Sequence, residues 1–211
     1  AELEMYAGRA DAVIELCEAV YHRRCYSLRV RAFAAQRAAQ GYAMRKEAVA
    51  SLRALDRARE MWSAQPDVQP DALLLGSAAI GDPTPLVHGW IWLDLGRPGR
   101  AAEHLHAALV PARRSQGRRV RALFGARAAR ALAEGGELQE AVRVGRRAFR
   151  AAEMTRSATA LGELRLLAAA LERAPRHRPA LDLVREIRSV SASGPAAWAW
   201  GEGRDGEGEP R

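Results

Sequence analysis

Two stretches of this 211-residue chain repeat one another closely enough to restrict the fold to stacked helix pairs. Leu95-Gly96-Arg97-Pro98-Gly99-Arg100-Ala101-Ala102 is followed by Leu105, Ala108 and Leu109. Gly135-Gly136-Glu137-Leu138-Gln139-Glu140-Ala141-Val142 is followed by Gly145, Ala148 and Phe149. Each sets a glycine at a helix end, a small residue five positions on, and another seven further. Gly8 with Val13 and Val20, and Ala43 with Ala48 and Leu55, are looser copies. The anchors Gly8, Ala43, Gly96 and Gly136 stand 35, 53 and 40 residues apart, and a period of about 34–40 residues marks helical hairpins stacked side by side. Glycine at a helix C-terminus takes the left-handed conformation that stops the first helix. Pro98 then suits the first position of the second, where a missing N–H costs nothing.

The pattern predicts helix pairs over about 1–7 with 10–24, 27–41 with 45–62, 86–95 with 98–114, and 117–134 with 137–153. A further helix covers 157–172, and a last one 179–189. The last sets Leu181, Val184 and Ile187 opposite Asp182, Arg185, Glu186 and Arg188, the two-faced arrangement a terminal cap needs. Strand signals are scarce, since hydrophobic residues make up 48% of the chain, mostly Ala, Leu and Val, while aromatics are only 6%. The expected fold is therefore all-α, a right-handed α-solenoid of stacked antiparallel hairpins with a capping C-terminal helix. It divides into looser hairpins over 1–62, a Pro-containing insertion over 63–85, hairpins and cap over 86–190, and a disordered tail over 191–211. The insertion is either a long connection packed on the array or a hinge, and Thr84-Pro85 reads as an N-cap followed by a first-turn proline.

The run from Asp82-Pro83 through Trp92-Leu93-Asp94-Leu95-Gly96-Arg97-Pro98 to Ala101-Ala102-Glu103-His104-Leu105 resembles tetratricopeptide repeats. Trp92, Leu95, Gly96 and Ala108 fall where that repeat carries its Trp, Leu, Gly and Ala, while its usual Tyr and Pro are not kept. Arg118–Ala170 is similar to the C-terminal repeat region of actinobacterial helix-turn-helix transcriptional regulators. The resemblance spans about 27–173 and implies a cytoplasmic sensing or interaction half of such a regulator, with DNA bound through an upstream domain. The chain begins at Ala1 inside what reads as helix, so the expectation is a fragment of a longer array. A stand-alone scaffold for protein–protein interaction is the alternative.

A net charge of +8 and a pI of about 10.6 suit an anionic partner. Of the 33 basic residues, however, only Lys46 is lysine, and the chain has no Asn. That skew matches GC-rich coding, and the arginines are spread along the helices rather than gathered, so direct nucleic-acid binding ranks second. Cys17 and Cys25 show no metal-ligand spacing, and no apolar run reaches the ~18–20 residues that cross a bilayer.

Chemistry-bearing motifs are few, and the expectation is a non-enzymatic domain with no cofactor and no metal. Gly201-Glu202-Gly203-Arg204-Asp205-Gly206 matches GxGxxG but lacks the flanking strand and helix. His22 with Cys17 and Cys25 supplies fewer than the four ligands a zinc site needs. His104 and His106 point to different sides of one helix. Ser27, Ser51 and Ser157 read as caps or exposed residues.

The binding residues expected are Arg37, Trp90, Arg127, Arg130 and Glu134, on the first helices of the pairs that line a concave face. Trp92 would fill the hairpin core while Trp90, two residues away, leans toward that face or packs under the insertion. The structural repeat positions are Trp92, Leu95, Gly96, Ala108, Gly136 and Ala148. A protein or peptide segment is the expected ligand, a small-molecule effector the second candidate, and a homodimer the candidate assembly.

Overall fold

A computed structural model describes residues 1–64, 82–109 and 117–192. Every described element is a helix: α1 (Glu2–Tyr6), α2 (Ala10–Tyr21), α3 (Leu28–Met44), α4 (Ala48–Ser63), α5 (Thr84–Asp94), α6 (Pro98–Leu109), α7 (Arg118–Glu134), α8 (Leu138–Thr155), α9 (Ala158–Leu171) and α10 (Arg178–Ala192). No described helix is long and apolar enough to cross a membrane. The expected helices all form, with ends moved by up to five residues. Most of the expected insertion, the GxGxxG match and the expected tail from 193 onward lie outside the described residues.

The chain divides into two compact units, one over Ala1–Gln116 with Glu134–Glu137 and one over Gly117–Ala133 and Leu138–Arg211. α5 packs on α3 and α4, which joins α5 and α6 to the first unit.

One turn recurs between helices. In the first unit the backbone at Gly8, Lys46 and Gly96 is left-handed, with φ of 76°, 64° and 72°. The N–H of the next residue donates five residues back in all three, Arg9 to Glu4 O at 2.9 Å, Glu47 to Tyr42 O at 2.9 Å and Arg97 to Trp92 O at 2.8 Å. This hydrogen-bond pattern ends a helix by satisfying its last carbonyls. Gly136, between α7 and α8, has φ 87°. The second anchor is therefore Lys46 and not Ala43, which is the last residue but one of α3. Searching for a small residue missed it, because here a lysine bears the left-handed strain. With that correction the residue five positions after each turn is Val13, Ser51, Ala101 or Ala141, all fully buried.

Caps and core follow local chemistry. Ser27 and Ser157 accept from the N–H groups of Val30 and Ala160, both at 3.3 Å, at the starts of α3 and α9. Ser51 instead donates to Ala39 O at 2.7 Å inside the α3–α4 contact. Ahead of α5, the Asp82 carboxylate accepts from Thr84 N at 2.8 Å and Thr84 Oγ1 at 2.7 Å, and Thr84 is the first residue of the helix rather than its cap, which is Pro83. In the second unit, Ala122, Ala126, Ala129 and Ala133 of α7 join Ala148, Leu164, Leu167, Leu183 and Ile187 in one core. α10 buries Leu183 rather than Leu181, beside Val184 and Ile187.

Candidate functional site

Of the residues expected to line a binding face, Trp90 and Arg127 are buried, and Arg37, Arg130 and Glu134 are half-buried. Trp90 is 8% exposed, so of its two expected placements it does not lean out to an open face, while Trp92, expected in the hairpin core, is half-buried. α5 buries Leu86, Val87, Gly89, Trp90, Ile91 and Leu93, which leaves only a narrow open stripe. Arg127 is fully buried, so it lines no open face. Its Nη2 donates to Glu163 Oε1 of α9 at 2.7 Å, and its guanidinium lies 5.2 Å from the centre of the Phe124 ring. Arg37 is half-buried, donating to Gln40 Oε1 at 2.7 Å and lying 3.6 Å from Glu2. Arg130 and Glu134 are half-buried near the end of α7. Among the repeat positions, Leu95 caps α5, Gly96 forms the turn, Ala108 is half-buried and Ala148 buried.

The open stripe of α5 carries His88 and Trp92, one turn apart, and α6 faces it with Arg100 and His104 at the same spacing. The helices run antiparallel, so His88 meets His104 with ring centres 4.0 Å apart, and the Arg100 guanidinium covers the Trp92 ring at 4.7 Å. Gly89 permits the approach: a Cβ there would meet Leu105 Cγ at 2.5 Å and Leu105 N at 3.0 Å. From α4, Arg59 places Nη2 2.9 Å from His88 Nδ1, while its Nη1 lies 3.1 Å from Asp56 Oδ1. Trp92 Nε1 donates to His88 Nε2 at 3.1 Å.

Burial, then the fields of His104 and Arg59, lower the His88 imidazole to about 4. Burial likewise lowers His104, against the opposing pull of Glu103. At neutral pH His88 is an uncharged ring with one lone-pair nitrogen, yet both nitrogens face groups that can only donate. The cluster is therefore richer in donors than in acceptors. The sequence reading considered His104 and Trp92 singly and missed Arg59, His88 and Arg100. The legible signal was the matched four-residue spacing on two consecutive helices.

A second polar feature, a cleft of about 750 Å³, lies between α2 and α4 and is lined by Glu18, His22, Tyr42, Arg53, Asp56 and Arg57 among others. Glu18 is its hub. Arg57 Nη2 donates to it at 2.6 Å and Tyr42 Oη at 3.3 Å, and His22 Nε2 lies 3.4 Å away. Burial, followed by the charge of Glu18, raises the Tyr42 phenol above its ordinary range. A carboxylate so fully engaged ties three helices together. Cys17 is buried and Cys25 exposed.

Comparison with known protein families, with curated proteins and with solved structures returns no match for the chain.

Proposed function

We propose that this chain is a non-enzymatic binding domain, a tetratricopeptide-like solenoid of helix hairpins that takes a protein or peptide segment or a small-molecule effector. The observation that carries the reading is the recurring helix-ending turn at Gly8, Lys46 and Gly96, with the same backbone bonds and a buried small residue five positions on. Repetition of one helix–turn–helix unit builds surfaces suited to recognition rather than a single deep catalytic pocket. The likeness of Arg118–Ala170 to regulator repeats supports the narrower reading, the sensing half of a bacterial transcriptional regulator acting in the cytoplasm. DNA contact then belongs to another part of the protein.

Panning displayed peptide libraries against the purified chain, then calorimetric titration of enriched peptides, is expected to yield one sequence class that binds one-to-one. Repeated panning with no enriched class, together with no binding of small acids or nucleotides, overturns the binding reading. The coding region ahead of Ala1 tests the regulator half of the proposal. A helix-turn-helix there supports it, and further helix pairs favour a scaffold.

A further inference from the structure

A cavity of about 480 Å³ opens beside the loop that joins α9 to α10. Among the described residues it is lined by Leu138, Ala174, Pro175, Arg176 and His177, all of the second unit. Its floor is apolar. Leu138, the first residue of α8, packs against the core of the unit yet stays only half-buried, and Ala174 and Pro175 extend that surface. The loop is held in shape, since Ala174 N donates to Leu171 O and His177 N to Ala174 O, both at 3.0 Å. A preformed apolar hollow of this size needs only a few polar groups to orient a small ligand.

Those groups are cationic. The stretch Arg173–Arg178 holds three arginines and no acid, and all three are exposed, with no ion pair among the described residues. The flanking acids are engaged elsewhere, Glu172 with Arg188 and Asp182 with Arg185. Ala180 N donates to His177 O at 3.0 Å and also to His177 Nδ1 at 3.2 Å. An accepting Nδ1 carries no proton, so Nε2 is the donor of that ring.

We propose that this cavity binds a monocarboxylate with an apolar body, of the fatty-acid or arylalkanoic-acid class. The hydrocarbon lies on Leu138, Ala174 and Pro175, and the carboxylate meets the Arg176 guanidinium. Each methylene taken out of water on the floor stabilises the complex. The planar guanidinium selects the charge, because its fork can hold both carboxylate oxygens at once. A bare anion gains nothing from the floor, and an uncharged chain gains nothing from the rim.

The assignment rests on the binding reading above and names a ligand class for it, but its test uses octanoate, so its failure leaves peptide binding elsewhere untouched. The chain, ¹³C-labelled at its leucine and alanine methyls, is titrated with sodium octanoate at pH 7 and constant ionic strength. Acetate, which has the charge without the body, and octan-1-ol, which has the body without the charge, are parallel arms. Octanoate is expected to shift the Leu138 and Ala174 methyl signals saturably, with a Kd below about 5 mM. Octan-1-ol should reach the same methyls about five- to tenfold more weakly, as expected for loss of a charged hydrogen bond, and acetate should leave them unmoved. Arg176→Gln should bring octanoate to the level of octan-1-ol and leave octan-1-ol unaltered, a split that damage to the fold would not produce. Ala174→Leu, which fills the cavity, should weaken both. Octanoate shifts that do not saturate, or that miss Leu138 and Ala174, overturn the proposal, as does unchanged octanoate affinity in Arg176→Gln. If Ala174→Leu does not fold, the Arg176→Gln comparison decides.

Discussion

Arg127 and Glu163 form a buried ion pair in the second unit, with Arg127 on a helix whose other buried residues are mostly alanine. Removing one partner of such a pair leaves a charge in a low-dielectric core, whereas replacing both by apolar groups is close to neutral. Arg127→Met is therefore expected to cost about 3–5 kcal/mol in urea denaturation, and Arg127→Met with Glu163→Leu to recover most of that loss. His88 gives a second prediction at this scale. Its folded midpoint of about 4 lies below the ordinary value near 6.5, so the unfolded chain binds the additional proton between those limits. The stability tied to His88 is complete above about pH 6.5 and declines as pH falls toward 4. The decline is roughly 1–2 kcal/mol once the ring's partial exposure to solvent is discounted. Denaturation at pH 7 and 4.5 should show a smaller acid-induced loss for His88→Phe than for the parent chain.

Among the elements, the turns decide most of the organisation. Arg156, between α8 and α9, has φ 46° and is exposed, so a side chain there bears left-handed strain with no packing to offset it. Arg156→Gly should raise stability by about 0.5–1 kcal/mol, the left-handed penalty less the entropy of a freer unfolded chain. That gain corresponds to about 2 °C in Tm. The helices were legible in the sequence because glycine, proline and small residues recur at fixed offsets around Gly96 and Gly136. The second turn was misplaced because Lys46 carries no such mark. The site was less legible. Periodicity separates a packed stripe from an open one only when one side of a helix is polar, and α5 is apolar on nearly every side. Trp92 was therefore assigned to the core and Trp90 left between two placements, and nothing in the order of residues tells that Arg59 reaches across from α4. Arg127 misled for a related reason: a charged residue on an alanine-rich helix reads as exposed until its partner, 36 positions away, is known.

Over the whole molecule, the net charge of +8 is less available than it reads. Arg45 meets Asp11 and Glu47 at 2.7 Å, Arg57 meets Glu18 at 2.6 Å, Arg146 lies 3.6 Å from Glu186, and Arg188 pairs with Glu172. Exposed pairs add little stability, but they break up a continuous positive field. Fluorescence anisotropy at about 50 mM salt is expected to show no saturable binding of duplex DNA, where a phosphate-tracking surface would bind and weaken steeply as salt rises. The alanine-lined contacts carry a different consequence. α3 buries Ala32, Ala34, Ala35, Ala38, Ala39 and Ala43, and alanine loses no rotamer freedom on folding. There is almost nothing to trim from such a seam, and a larger side chain would have to displace a buried neighbour. A deep mutational scan should therefore differ from that of an ordinary leucine core, with serine tolerated better at these positions than valine, leucine or phenylalanine, and glycine costing only its helix penalty of about 1 kcal/mol. Sequence drift in this protein is limited by side-chain bulk more than by loss of greasy surface.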